Sequence, residues 1–173
     1  MPDASRSRTI AAPVQELWEV IGDPHHLPRW WPRVTRVEDV EEDAFTEVMR
    51  TRKGKLVRAD FRIVARDEAS HSLTWSQLVE GSPFARVLKS AETEIRLTPA
   101  NASAPPSHGD EASEREPATV VRIELRQEMA GYSSRSGLFM GFSARFGSPM
   151  VRRAARATLD EALDGLERIG GRA

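Results

Sequence analysis

Hydrophobic residues fall at two different spacings along this chain, and the switch between them divides it into elements. Ser7-Arg8-Thr9-Ile10 reads as a strand, and after it Val14, Leu17, Trp18 and Ile21 recur at helical spacing, giving one apolar stripe. Pro13 stands where the first turn of a helix tolerates it and Gly22 ends the pattern. Asp23 and Pro24 then have the form of an N-cap followed by the first helical position, which predicts a short second helix carrying His25, His26, Leu27, Trp30 and Trp31 until Pro32 stops it. From about residue 33 to residue 98 the spacing becomes two. Val57, Ala59, Phe61, Ile63 and Ala65 share one side of a strand while Arg58, Asp60 and Arg62 share the other. Leu73, Trp75, Gln77 and Val79 alternate in the same way, as do Thr93, Ile95 and Leu97.

Residues 99–118 break the alternation. They contain no large apolar side chain and include Pro99, Pro105, Pro106 and Pro117, so they cannot offset the entropy of ordering and are expected to form a mobile insertion between two hairpin strands. Lengthening such a turn costs only about 0.6 kcal/mol per doubling. The strand pattern resumes with Thr119, Val121, Ile123, Leu125, Gln127 and Met129 facing in and Arg122, Glu124, Arg126 and Glu128 facing out. Beyond a glycine-studded apolar stretch (Gly137 to Gly147), Val151, Ala155, Leu159, Ala162, Leu163, Leu166 and Ile169 make a long amphipathic stripe, and Pro149 either begins that helix or kinks a longer one. A helix of roughly 20 residues is about 30 Å long, the width of a six- or seven-stranded sheet. The resulting expectation is an α+β fold in one domain spanning residues 1–173, in which the final helix crosses the sheet.

Composition removes several functions. A formal net charge of −1 gives no global field toward nucleic acid or anionic lipid. Of the 25 basic residues only Lys53, Lys55 and Lys89 are lysines, an arginine excess expected of a GC-rich bacterial genome. The chain has no cysteine, which excludes disulfides, thiolate catalysis and thiolate-bound metals. No apolar run approaches the roughly 18 residues that a membrane span requires, and Met1-Pro2-Asp3 begins no signal peptide, so a cytoplasmic location is expected. His25 and His26 point in different directions on a helix, His71 falls in a turn and His108 in the insertion, so no metal site is expected and no cofactor motif is present. Ser133, Ser134 and Ser136 lack a nucleophile elbow, and Gly137, Gly141 and Gly147 match no phosphate-binding spacing.

The order of elements, with Ile10-Ala11-Ala12-Pro13, the Leu17-Trp18 pair, Asp23-Pro24, Leu27-Pro28-Arg29-Trp30-Trp31-Pro32 and Leu73-Thr74-Trp75, resembles the polyketide cyclase/dehydrase branch of the START-like (SRPBCC) superfamily. The resemblance implies a helix-grip fold: a curved antiparallel sheet of about six to seven strands wrapped around a long C-terminal helix, with two short helices after the first strand and a cavity for an apolar molecule. It places Trp30 and Trp31 at the cavity mouth. Its lining would be drawn from Trp30, Trp31, Met49, Phe61, Trp75, Gln77, Thr93, Ile95, Ile123, Met129, Phe139, Phe142 and Phe146, with Gln77, Thr93, Gln127 and Tyr132 able to orient a ligand through hydrogen bonds. The tryptophans serve equally well as core. A dry void of roughly 300 Å³ would forfeit about 7 kcal/mol at about 24 cal/mol per Å³, so ligand, water or collapsed side chains must fill such a space.

Acid–base chemistry in an apolar chamber needs a polar group inside it. Glu47 shares its strand phase with Phe45 and Met49 and is the acidic candidate; Arg50, on the opposite phase, is the basic one. Arg145, Arg152, Arg153 and Arg156 form a basic cluster read as a solvated helix face. Three readings stay open: a binder or carrier of a small lipid-like or polycyclic aromatic ligand, a polyketide cyclase/dehydratase, and a stress-related or toxin-like interaction module with a packed interior.

Overall fold

The computed structural model describes residues 4–51, 53–100, 117–130 and 143–171. The chain runs β1 (Ala4–Ile10), α1 (Val14–Gly22), a 3₁₀ turn (Pro24–His26), α2 (Leu27–Trp30), β2 (Val34–Glu38), β3 (Ala44–Arg50), β4 (Leu56–Asp67), β5 (Ser72–Gln77), a second 3₁₀ turn (Pro83–Arg86), β6 (Leu88–Pro99), β7 (Thr119–Met129) and α3 (Ser143–Gly170). The strands form one seven-stranded antiparallel sheet in the order β1-β7-β6-β5-β4-β3-β2. β1 and β2 are consecutive strands at opposite edges, so α1 and α2 must carry the chain across the whole sheet, about 29 Å at about 4.8 Å per strand. Two residues make that crossing turn. Pro13 is the N-cap of α1, and the Asp23 carboxylate accepts the His25 amide at 2.9 Å to open the 3₁₀ turn.

The period-two segments follow their pattern along most of their length, and β4 departs from it at a bulge. Ala59, Phe61 and Ile63 are buried, but Ala65 is exposed, because a bulge between Ile63 and Ala65 inserts a residue and reverses the phase. The 99–118 segment joins neighbouring strands: Pro99 pairs with Thr119, and the Ala100 amide donates to the Ala118 carbonyl at 2.8 Å. The pairing therefore extends through Ala100 and Ala118, and residues 101–116 lie outside the described residues.

α3 begins before Pro149, which therefore lies inside the helix rather than at its start. Ala155, Leu159, Ala162, Leu163 and Leu166 are buried against a core formed with Leu17, Trp18 and Ile21 of α1 and Ile95, Leu97, Val121 and Ile123 of the sheet. The helix packs chiefly on β1 and α2. Side chains on β1 hold it there. Arg6 and Arg8 share their strand phase with Ala4 and Ile10 and lie over that face, where Arg6 donates to Asp160 at 2.8 Å and Arg8 to Asp164 and Glu167. These pairs are part-exposed and worth roughly 0.5 kcal/mol each, so they fix alignment more than stability.

The tightest contact in the assembly is made by backbone. A Cβ built on Gly165 of α3 would meet the Trp30 carbonyl oxygen at 2.5 Å, its Cα at 2.6 Å and its carbonyl carbon at 2.9 Å. Only glycine lets α3 lie this close to α2. A Gly165→Ala variant must push the helices apart and should lose about 1–3 kcal/mol of stability in denaturant unfolding. Gly22→Ala, where nothing lies within 4 Å of the added methyl, is the matched comparison and should be neutral or slightly stabilising.

Candidate functional site

The concave face of β3, β4 and β5 is aromatic. Phe45 stacks on Phe61 with ring centres 5.3 Å apart and planes 9° from parallel, and its other neighbour is Trp75, edge-on at 6.2 Å. Alternation brings these rings together: Phe45 pairs with Phe61, and Ile63, the next inward residue of β4, pairs with Trp75. α2 then lowers two more indoles onto the sheet, Trp30 at 6.5 Å and Trp31 at 5.7 Å from Trp75, themselves edge-to-face at 5.4 Å. Five rings from four elements thus make one cluster. Phe45, absent from the lining expected from sequence, is the ring that joins β3 to it; its shared phase with Glu47 was the available signal.

Polar atoms without partners lie on this same face. Glu47 is 1% exposed, and among the described residues neither carboxylate oxygen has a hydrogen-bond partner. Its strand neighbours are Phe45 and Met49, and the residues opposite it are Val37 on β2 and Ala59 on β4, so no charge from these flanking positions compensates it. Burial alone pushes its carboxyl up to about 8, which leaves it mostly protonated at neutral pH. Gln77 lies on β5 opposite Phe61 and two residues beyond Trp75, with its Nε2 unpartnered. The buried indole Nε1 of Trp30 is unpartnered as well. Elsewhere three such groups have partners: the Thr119 hydroxyl donates to the Ala12 carbonyl at 2.7 Å, Thr46 donates to Asp60 at 2.7 Å, and Trp18 Nε1 donates to Glu68.

The remaining candidates divide. Trp30, Phe61, Trp75, Thr93, Ile95 and Ile123 are buried in the core, and Trp31 and Met49 are half-buried against it. Two candidates part from the chamber assigned to them. Met129 has the inward phase but is 44% exposed, because it is the last residue of β7. Arg50 is exposed on the face of β3 opposite to Glu47, where its amide donates to the Arg33 carbonyl at 2.9 Å. Phe139, Phe142, Tyr132 and the side chain of Phe146 lie outside the described residues. A groove of ≈ 330 Å³ opens beside the contact of α2 with α3, lined by Trp30, Trp31, Arg33, Glu161 and Arg168. Among the described residues no group of histidines and carboxylates could hold a metal ion, and no helix is long and apolar enough to cross a membrane.

Comparison with known proteins places this geometry. The family described as polyketide cyclase / dehydrase and lipid transport matches residues 1–169. No curated protein matches the sequence. Among solved structures, the Zhui aromatase/cyclase from Streptomyces sp. R1128 superposes with a TM-score of 0.69 at 16% identity, covering 97% of this chain and 92% of that one. A START superfamily protein from Mycobacterium smegmatis gives 0.65 at 13% identity over 96% of this chain and 95% of that one. Ginseng major latex-like protein 151 from Panax ginseng gives 0.60 at 16% identity over 96% and 95%. At these identities the likeness is one of fold: the helix-grip architecture, with its seven-stranded antiparallel sheet and packed C-terminal helix.

The Glu47 shift sets a direction for pH dependence. A carboxyl raised from 4.5 to about 8 binds more protons in the folded than in the unfolded chain between those values, so its contribution to stability is full below about pH 4.5 and is lost as the pH rises toward 8. Wild-type unfolding free energy should fall relative to Glu47→Gln by about 1.4 kcal/mol per pH unit across this window. Urea titrations of both proteins at several pH values measure the difference directly; parallel curves would mean that Glu47 is ionised in the fold.

Proposed function

The chain belongs to the polyketide cyclase / dehydrase and lipid transport family, and from that premise we propose that it binds a small hydrophobic ligand, lipid-like or polycyclic, on the concave face of the sheet beside the Trp30–Trp75–Phe45 cluster. One observation carries this reading: three side chains around that cluster, Glu47, Gln77 and Trp30, hold buried polar atoms that no described residue satisfies. A buried polar group left unpaired costs about 1–3 kcal/mol. A ligand seated among the aromatic rings removes that cost while burying its own apolar surface at about 25 cal/mol per Å².

A cyclase/dehydratase is the second reading, and the Glu47 carboxyl favours it. A carboxyl held near pH 8 in an apolar setting exchanges a proton close to neutrality, as a general acid or base must. Arg50, exposed on the other side of β3, does not share that space, so the acid–base role falls to Glu47.

Native mass spectrometry and solvent extraction of the purified protein test the binder: a co-purifying apolar molecule in stoichiometric amount is the expected result. A protein that takes up neither cellular lipid nor an added apolar dye would overturn it. Turnover of a polyketide-like substrate that drops at least about 100-fold in Glu47→Gln would establish the enzyme, in line with the usual contribution of a general acid or base. Turnover unchanged in that variant would remove Glu47 from the chemistry.

A further inference from the structure

Arginines and carboxylates are matched over much of this surface. Arg8 holds Asp164 and Glu167, Arg58 holds Glu38 and Asp39, and Arg126 holds Glu92, Glu94 and Glu124. One end of the sheet departs from this. There Arg33, Arg50, Lys53, Lys55 and Arg168 make no ion pair with any described residue. The Arg50 amide donates to the Arg33 carbonyl at 2.9 Å and the Thr51 amide to the Lys55 carbonyl at 2.8 Å, so the start of β2, the end of β3 and the β3–β4 turn with its two lysines adjoin. The acids of the β2–β3 hairpin, Glu41, Glu42 and Asp43, fall in its turn at the opposite end.

Arg33 is the centre of this group. It lines two hollows of ≈ 330 Å³ each: the groove beside α3, shared with Arg29, Glu161, Asp164 and Arg168, and a second against the hairpin, shared with Thr35, Arg50 and Thr51. Its φ of 69° lies in the left-handed region, where glycine sits without strain and an arginine is held at a cost. No bond from its guanidinium to a described residue offsets that cost. The Trp30 backbone against Gly165 sets the separation of the groove's two walls, so Arg29 and Arg33 on one side and Arg168 on the other are presented at a fixed spacing. Arg29 also lies 3.2 Å from His26 Nδ1. Of the two acids in the walls, Asp164 is engaged by Arg8, which leaves Glu161 alone against three arginines.

Independently of the concave-face site, we propose that the groove between α2 and α3 binds a phosphate-type polyanion, with Arg33 at its centre and Arg29 and Arg168 from the two walls. A guanidinium fork meets phosphate oxygens two at a time, and Arg50, Lys53 and Lys55 add point charges beside it. A ligand with more than one negative charge uses such a set; a monoanion leaves most of it unengaged. The phosphate belongs either to a free small molecule or to a lipid headgroup, and the same chemistry recognises both.

Isothermal titration of the full chain with pyrophosphate tests the site. Binding should show a Kd of about 1 mM or tighter at low ionic strength and weaken as sodium chloride is raised beyond about 0.1 M. Arg33→Gln should weaken it at least about tenfold, and Arg33→Gly, which relieves the backbone, should weaken it as much while circular dichroism shows the chain folded. Arg122→Gln, which removes a paired arginine from the outer face of the sheet, should leave it unchanged. Co-sedimentation with phosphatidylcholine vesicles, with and without phosphatidic acid, separates the two sources. Retention on the acidic vesicles that pyrophosphate competes away assigns a headgroup, and pyrophosphate binding without retention assigns a free phosphate. Three results overturn the proposal: no saturable binding of pyrophosphate, equal losses in Arg33→Gln and Arg122→Gln, which mark diffuse attraction to charge, and vesicle retention that neither Arg33→Gln nor pyrophosphate reduces.

Discussion

The close passage of α3 over α2 at Gly165 is the constraint on which the rest of the architecture depends. With the Trp30 backbone held against the helix, its indole has one direction to go, down onto Trp75, and Trp31 follows edge-on. The cluster in turn fixes where β3 and β5 present their inward side chains. A methyl group at Gly165 would act at a distance, through the separation of two helices, on the depth of the aromatic layer and hence on the surroundings of Glu47 and Gln77.

Stability and charge are distributed unevenly over the two faces of the sheet. On the outer face Arg126 reaches Glu92, Glu94 and Glu124, each at 3.0 Å, while Arg96 pairs with Glu94 and Arg122 with Glu124. Arg58 similarly joins Glu38 and Asp39. Acids there are matched in a setting where water would have solvated them anyway, so the pairs add little. Glu47, in the setting where a partner matters most, has none among the described residues. Pairing therefore follows ease of solvation inversely to energetic need, which is the opposite of what optimisation of stability alone would produce.

Much of this was legible in the residues. Alternation located the strands, and the same alternation singled out Glu47, since an acid in phase with Phe45 and Met49 can only face the core of a half-buried strand. Caps were equally plain in Asp23-Pro24. What escaped was whatever depends on two segments meeting. The bulge that turns Ala65 outward leaves no mark in a run of alternating residues. Nothing along the chain links Arg6 and Arg8 to the acids of α3 more than 150 residues away. Gly165, one glycine in an otherwise ordinary helix, gives no sign in sequence that a carbonyl oxygen of another helix occupies the space of its missing side chain. Met129 illustrates the converse: phase predicts direction, but the end of a strand decides whether anything covers the residue.

The presence of Glu47 at this position is the strongest argument for the proposed role of the concave face. A leucine or methionine of similar volume at that position would remove a desolvated carboxyl and pack against Phe45 and Met49, and such replacements of buried ionisable groups are often stabilising by about 1–4 kcal/mol. Protonation softens the cost but does not abolish it, because the neutral acid still brings a donor and an acceptor into an apolar layer without partners. Gln77 and Trp30 repeat the same pattern on two other elements. One unsatisfied group is an accident that a fold can absorb; three around a single aromatic cluster, in a domain that satisfies Thr46, Thr119 and Trp18 elsewhere, are buried polar groups that no described residue pairs, and on them the proposed binding site rests.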